Sequence, residues 1–213
     1  MKDIWVIGFG SFGQRAVSIL SQKEDNQLTI VDISFENIQQ VQDKCHRYIN
    51  VDGVSFLNEN LYPGNEPDWI VPALPVHLAA EWSFERLKSN QLRKITLPSE
   101  LESLVPNPFK ISPSVLCVSY ADFVCPDNCT EPLNKCPVTN EPRKGNMFEL
   151  LQKISLSPFE PLVVRSFQLA PGIGGYSPKQ LFSLLNKLEQ RPGQYLVCTA
   201  CRCHGVITSL ERL

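Results

Sequence analysis

The most constraining feature of the chain is a glycine-rich stretch near its start, VIGFGSFGQRA, in which Gly8, Gly10 and Gly13 follow the spacing G-x-G-x-x-G. The apolar run DIWVIG (residues 3–8) precedes it and is typical of a buried strand. The stretch SFGQRAVSILSQ follows it and carries apolar residues at helical spacing. A strand, a glycine turn and a helix in this order predict the phosphate-binding turn of a dinucleotide fold.

Each glycine has a separate role in such a turn. Gly8 makes the tight turn after the strand, Gly10 lets the backbone approach a pyrophosphate, and Gly13 lets the helix pack closely on the strand. The amides at the start of the helix, with the positive end of its dipole, then hold the phosphates. The residues predicted to bind the cofactor are Gly8, Phe9, Gly10, Ser11, Phe12, Gly13 and Asp32.

Asp32 completes this motif. It lies at the end of a second predicted strand, QLTIVDI (27–33), 19 residues after Gly13. An acidic side chain at about this distance accepts hydrogen bonds from the adenosine ribose hydroxyls. Because a carboxylate repels a 2′-phosphate and no arginine follows it, the sequence favours NAD(H) over NADP(H).

Strand and helix patterns alternate along the rest of the first half, which predicts an α/β fold: a Rossmann-like parallel sheet with helices on both faces. The further elements predicted there are a helix at 34–44, strands at 47–52, 68–75 and 93–98, and a helix at 77–88. A proline-rich segment, residues 98–114, breaks the rhythm. We therefore predict a dinucleotide-binding domain at 1–110 and a smaller, cysteine-rich α/β region at 111–213. For that region the predicted elements are strands at 115–124 and 161–170, helices at 146–155 and 178–190, and a final strand or strand pair at 194–210.

The stretches DIWVIGFGSFGQRAV and LTIVDIS resemble the NAD-binding domain of the TrkA/RCK type, which regulates potassium uptake in prokaryotes. The resemblance covers residues 1–90 and is as specific as the fingerprint itself. It implies an NAD(H)-responsive regulatory module that acts on a protein partner or as a homodimer. RCK domains usually carry a Gly-Asp pair after the third strand, whereas this chain has Asp52 followed by Gly53.

Bulk properties exclude several classes of partner. The formal net charge is −2 and no basic block stands out, so the sequence predicts no binding to nucleic acid. No apolar run approaches the roughly 18 residues of a membrane span, and the N-terminus does not read as a secretory signal. The sequence therefore predicts a cytoplasmic protein without membrane insertion.

The chain has eight cysteines, which a cytoplasmic protein normally keeps reduced. Six of them lie in two clusters and are the predicted ligands of a metal site: Cys125, Cys129, Cys136, Cys198, Cys201 and Cys203. Grouped thiolates on irregular backbone suit an iron–sulfur cluster or zinc, and we favour the cluster. A dithiol that cycles as a disulfide and a set of buried core cysteines are the alternatives. For Cys45 and Cys117 we favour the core.

His77 is the one candidate catalytic residue, since it follows the fourth predicted strand, where a nicotinamide would lie. A histidine that merely begins a helix is the alternative. The leading hypothesis is a cytoplasmic NAD(H)-binding redox protein with a cysteine-ligated iron–sulfur or zinc site. The others are a non-enzymatic sensor of the TrkA/RCK type and a Rossmann protein with purely structural zinc.

Overall fold

The structure is a computed structural model that describes residues 1–34, 47–87 and 92–213. The predicted helix at 34–44 lies outside these residues except for Ser34, and Cys45 lies outside them as well. The strands are β1 Lys2–Ile7, β2 Asn26–Asp32, β3 Arg47–Asn50, β4 Trp69–Pro72, β5 Leu92–Lys94, β6 Phe109–Ser112, β7 Val115–Ser119, β8 Phe159–Arg165, β9 Phe167–Ala170, β10 Ile173–Gly175, β11 Gly193–Ala200 and β12 His204–Arg212. The α-helices are α1 Ser11–Leu20, α2 Gly53–Asn60, α3 Leu78–Leu87, α4 Met147–Gln152 and α5 Pro178–Gln190.

The first sheet has four parallel strands in the order β3-β2-β1-β4. Successive residues of β1 point to opposite faces, so Ile4 and Val6 pack in the cluster that includes α1, whereas Trp5 and Ile7 pack with α2 and α3. Burial on both faces explains why this strand reads as a continuous apolar run. The predicted parallel sheet with helices on both faces is confirmed.

Helix α2 is an element that the hydrophobic pattern did not reveal. It begins at Gly53 because Asp52 caps it: the Asp52 carboxylate accepts a hydrogen bond from the N–H of Ser55 at 2.9 Å. The Asp-Gly pair that departs from the RCK pattern is thus a helix start directly after β3.

The second sheet has six strands and is mixed. Its order is β6-β7-β12-β11-β8, with β5 pairing with the far end of β12. The predicted strand at 93–98 therefore belongs here and not to the parallel sheet. One face packs against α4, with Leu116, Leu196, Ile207 and Met147 in a buried cluster. A domain division near residue 110 stays a prediction; β5, which precedes that position, already pairs in the second sheet.

The two sheets are joined by α3 and by the β9–β10 hairpin. Trp82 of α3 is fully buried in the cluster that contains Ile7 of β1 and Val197 of β11. Beyond β10, Tyr176 exchanges backbone hydrogen bonds of 2.9 and 3.0 Å with Ile70 of β4. This contact sets the 166–176 segment against the edge of the parallel sheet. In the part of the chain that the structure describes, no helix is long and apolar enough to cross a membrane.

Candidate functional site

Two glycines of the loop after β1 are required by close backbone contacts. Gly8 has φ +104°, and a Cβ there would lie 2.5 Å from the carbonyl oxygen of Ala73. A Cβ on Gly13 would lie 2.1 Å from the carbonyl oxygen of Gly8. Both distances are far below van der Waals contact, so a side chain at either position would displace the loop from the helix or from β4.

Gly10 differs from the other two. Its φ and ψ are −67° and −169°, which any residue adopts, and nothing lies within 4 Å of the position of a Cβ. No side chain caps the N-terminus of α1, where Gly10 is the N-cap. In a dinucleotide fold, the first amides of this helix bind the pyrophosphate. The space beside Gly10 is open at this point.

Asp32 lies beside this loop at the carboxyl end of β2. Its Oδ2 accepts the N–H of Phe9 at 2.5 Å and its Oδ1 accepts the N–H of Ser34 at 2.7 Å. The residue is 7 % exposed. The carboxylate therefore ties the glycine loop to the end of the neighbouring strand. Its contact with a ribose stays a prediction.

The cysteine segment, residues 120–146, runs from the end of β7 to the start of α4 without a regular helix or strand. It borders a cavity of about 520 Å³ that is also lined by parts of residues 166–174 and 201–204. The thiol-bearing and imidazole-bearing residues of this lining are Cys125, Cys129, Cys136, Cys201, Cys203 and His204. We call this the cysteine pocket. Five of the six predicted metal ligands thus meet at one cavity, and all of them are free thiols.

Three of these sulfurs accept backbone hydrogen bonds from residues just after them. Cys129 Sγ accepts the N–H of Glu131 at 3.4 Å. Cys201 Sγ accepts the N–H groups of Cys203 and His204, each at 3.4 Å. The backbone of residues 138 and 139 bonds the Cys136 sulfur in the same way and lowers the pKa of that thiol. Such turns stabilise a thiolate, because the N–H dipoles point at the charged form.

Two charged side chains accompany the thiols. The Arg143 guanidinium donates to Cys203 Sγ and to the carbonyl of Pro132, while its Nη2 is buried without a hydrogen bond. Glu131 Oε1 accepts the N–H of Arg202 at 2.7 Å. Burial, with the charge of Glu131 adding to it, raises the pKa of Cys201 to about 12. Burial also raises the pKa of Cys203, whereas the guanidinium of Arg143 lowers it.

The thiols share the cavity without converging on one point. Among residues 1–34, 47–87 and 92–213, no group of three or more His, Cys, Asp or Glu side chains is close enough to hold a metal ion. The sixth predicted ligand, Cys198, lies elsewhere: it is fully buried in the core of the second sheet, with Leu196 and Ile207. Cys117 is on β7 and is half-buried, outside the cavity lining.

His77 is also outside the cavity lining. It is 6 % exposed and stands directly before α3. Its Nδ1 is hydrogen-bonded to the hydroxyl of Thr208 at 2.8 Å and its Nε2 to that of Thr199 at 2.9 Å. Burial lowers the pKa of His77 to about 3, so the ring is neutral. Through these two hydrogen bonds, His77 connects α3 to the second sheet. A catalytic role for His77 stays a prediction.

The cysteine segment contacts α1 through an ion pair and the β9–β10 hairpin through a backbone hydrogen bond. Arg15 of α1 pairs with Asp127 at 2.6 Å, and Arg15 itself lines the cavity. On the other side, the N–H of Gly172 donates to the carbonyl of Cys129 at 2.9 Å. A Cβ on Gly172 would lie 1.7 Å from the Asp127 carbonyl oxygen. The helix that begins at the glycine loop therefore also borders the cysteine pocket.

Sequence reasoning missed Arg143, Glu131 and His204 as parts of this site. Arg143 and Glu131 carry no motif, and only the folded segment brings them to the thiols. His204 had a signal: it follows Cys201 by three residues. A continuous strand over 194–210 would place Cys201 and His204 on opposite faces, whereas the structure ends β11 at Ala200 and turns through 201–203.

The glycine loop and Asp32 lie within residues 4–57, which the model of the TrkA-N domain matches, as the resemblance predicted. A second family model, described as "Uncharacterized protein, C-terminal domain", matches residues 79–213. An "Uncharacterized protein" of Archaeoglobus fulgidus is 30 % identical over 229 residues, which cover 97 % of this chain and 98 % of that protein. No solved structure is a significant match. The chain belongs to the family of this Archaeoglobus fulgidus protein.

Proposed function

We propose that the chain is a cytoplasmic redox protein that binds NAD(H) at the loop after β1 and a metal at the cysteine pocket. The support for the dinucleotide is the TrkA-N match together with the open space at Gly10. Gly8, Phe9, Gly10, Ser11, Phe12 and Gly13 would wrap the pyrophosphate, and Asp32 would accept hydrogen bonds from the ribose.

The observation that carries the metal site is the meeting of five free thiols at one cavity. The donor set fits a thiolate-bound metal, because three of the sulfurs already accept backbone N–H groups. A volume of about 520 Å³ lies within the range of ligand pockets and exceeds the need of a single zinc ion. This favours an iron–sulfur cluster, with Cys125, Cys129, Cys136, Cys201 and Cys203 as its candidate ligands.

A bound cluster would supply one-electron chemistry next to a hydride-carrying cofactor. The chain's own contribution is to hold the two sites near each other. Arg15 stands one helical turn after the start of α1 and lines the cysteine pocket. Helix α1 therefore begins at the dinucleotide loop and borders the pocket that contains the thiols. Arg143 would offset negative charge on the thiolates, and its unpaired Nη2 is available for a hydrogen bond.

The experiment that tests this function is metal analysis and an optical spectrum of the full chain, purified without oxygen, before and after addition of NADH. We expect iron and a broad visible absorbance that decreases when NADH is added. The variant Gly10→Ala should keep the iron and need about tenfold more NADH for the same response. Cys117→Ser serves as the matched thiol control and should behave as the natural chain.

Zinc, or a protein without metal, would contradict the redox mechanism. In that case, NADH-dependent dimerisation without turnover would support a sensor of the TrkA/RCK type. Colourless zinc whose removal unfolds the second sheet would support a purely structural site.

A further inference from the structure

His204 has a fixed position at the rim of the cysteine pocket. It is the first residue of β12 and pairs with Ser119 of β7 in the second sheet. Its own N–H donates to Cys201 Sγ at 3.4 Å, so the backbone at this point is held both by the sheet and by a thiol. The side chain lines the cavity.

The imidazole lies between two thiols. Its Nε2 is 3.5 Å from Cys125 Sγ, and its Nδ1 is 3.9 Å from Cys201 Sγ. The distance from Nε2 to Cys125 Sγ can be compared with the distance between two ligand atoms of one metal ion. A tetrahedral ion bound by sulfur at about 2.3 Å and by nitrogen at about 2.0–2.1 Å separates the two ligand atoms by about 3.5 Å.

We propose that His204 is a metal ligand through Nε2, next to Cys125, in a site with mixed nitrogen and sulfur ligands. This inference rests on the proposed metal site and names a ligand of it. Cys125 and His204 already stand at the separation that a shared ion requires.

The other ligands come from the cysteines whose sulfurs accept backbone N–H groups: Cys129, Cys136 and Cys201. In the described residues no three metal-binding side chains converge, so metal binding must draw the irregular segment 120–146 inward. That movement is possible because the segment has no regular secondary structure to break, whereas His204 is fixed by β12.

The test uses the metal-free full chain titrated with Co²⁺, whose visible bands shift to shorter wavelength when nitrogen replaces sulfur as a ligand. The natural chain should show the bands of a mixed nitrogen and sulfur site. His204→Ala should weaken Co²⁺ binding at least about 100-fold, since loss even of a supporting residue costs 10–100-fold. His204→Cys should bind Co²⁺ with bands at the longer wavelength of an all-thiolate site. Circular dichroism checks that each variant is folded, and Cys117→Ser is the control.

The outcomes separate this inference from the proposed function. If the natural chain binds Co²⁺ and both His204 variants leave spectrum and affinity unchanged, the ligand assignment is wrong and the thiolate site stands. If the natural chain binds no Co²⁺, the ligand assignment is wrong, and the iron content of the chain purified without oxygen decides the proposed function separately. In that case, rapid alkylation of Cys125 that is lost in His204→Ala would identify the pair as a nucleophile and its base.

Discussion

The glycine loop is made by six consecutive residues, whereas the cysteine pocket takes its thiols from two segments that end and begin 65 residues apart, at Cys136 and Cys201. The loop is complete as it stands: Gly8 and Gly13 are in contact, and the space at Gly10 is open. Within the described residues, the thiols that line the pocket do not converge on one point. The difference teaches that local backbone geometry preforms the glycine loop, whereas the proposed metal site requires thiols from distant segments to come together.

The largest effect should come from the closest contact in the glycine loop. Gly13→Ala places a Cβ 2.1 Å from the Gly8 carbonyl oxygen, and we expect the free energy of unfolding to fall by about 3 kcal/mol. Urea unfolding measures this. Gly10→Ala is the matched control, since its Cβ meets nothing.

For Gly10→Ala we expect stability within about 0.5 kcal/mol of the natural chain and NADH affinity about tenfold weaker, which corresponds to about 1.4 kcal/mol. Calorimetry with NADH measures the affinity. Equal NADH affinity in the two proteins would show that the loop is not the dinucleotide site and would remove the contrast between the two regions.

In the cysteine pocket, an effect close to that of Gly13→Ala is expected. Cys201→Ser removes a sulfur that accepts two backbone N–H groups, and metal affinity should fall at least about 100-fold. Metal content after dialysis against a chelator measures this. Cys198→Ala, in the core away from the cavity lining, should keep the metal. Loss of metal in Cys198→Ala but not in Cys201→Ser would place the site elsewhere.

A further prediction concerns the joint between the two regions, where His77 bonds Thr199 and Thr208. Burial lowers the pKa of His77 to about 3, so the folded chain keeps the ring neutral while the unfolded chain takes up a proton below about pH 6.5. The unfolded state then binds more protons, so stability is complete above that pH and is lost as the pH falls toward 3.

Between pH 7 and pH 5 this loss should be about 2 kcal/mol. Urea unfolding at the two pH values measures it, and His77→Gln should remove most of the difference. A natural chain whose stability does not change over this interval would show that His77 is not held neutral.

The smallest effect is expected at the ion pair between Arg15 and Asp127, whose side chains are 30 % and 80 % exposed. Surface pairs of this kind contribute about 0–1 kcal/mol. Arg15→Gln should therefore change the free energy of unfolding by less than about 1 kcal/mol and leave the metal affinity nearly unchanged. Asp127→Asn, which removes the negative charge of the same ion pair, is the matched variant. A large loss of both NADH and metal binding in Arg15→Gln would show that the two regions act as one site.

The first half of the fold followed closely from the sequence. The patterns of β1, α1 and β2 could be predicted because each element depends on neighbours in the chain. Asp32, the last residue of β2, was identified by its spacing from the glycine loop. Helix α2 was missed because its start depends on the Asp52 cap instead of on a long apolar repeat. The partner of β5 was also missed, since β12 lies more than a hundred residues further along the chain.

The candidate site divides in the same way. By itself the sequence determined the glycine loop, the position of Asp32 and the presence of two cysteine clusters, because these are properties of short stretches of chain. Only the tertiary structure decided which thiols share a cavity, that Cys198 belongs to the core, and that His204 stands beside Cys125. The physical reason is that these contacts depend on how β7, β11 and β12 pair, and the register of paired strands is set by packing across the whole sheet.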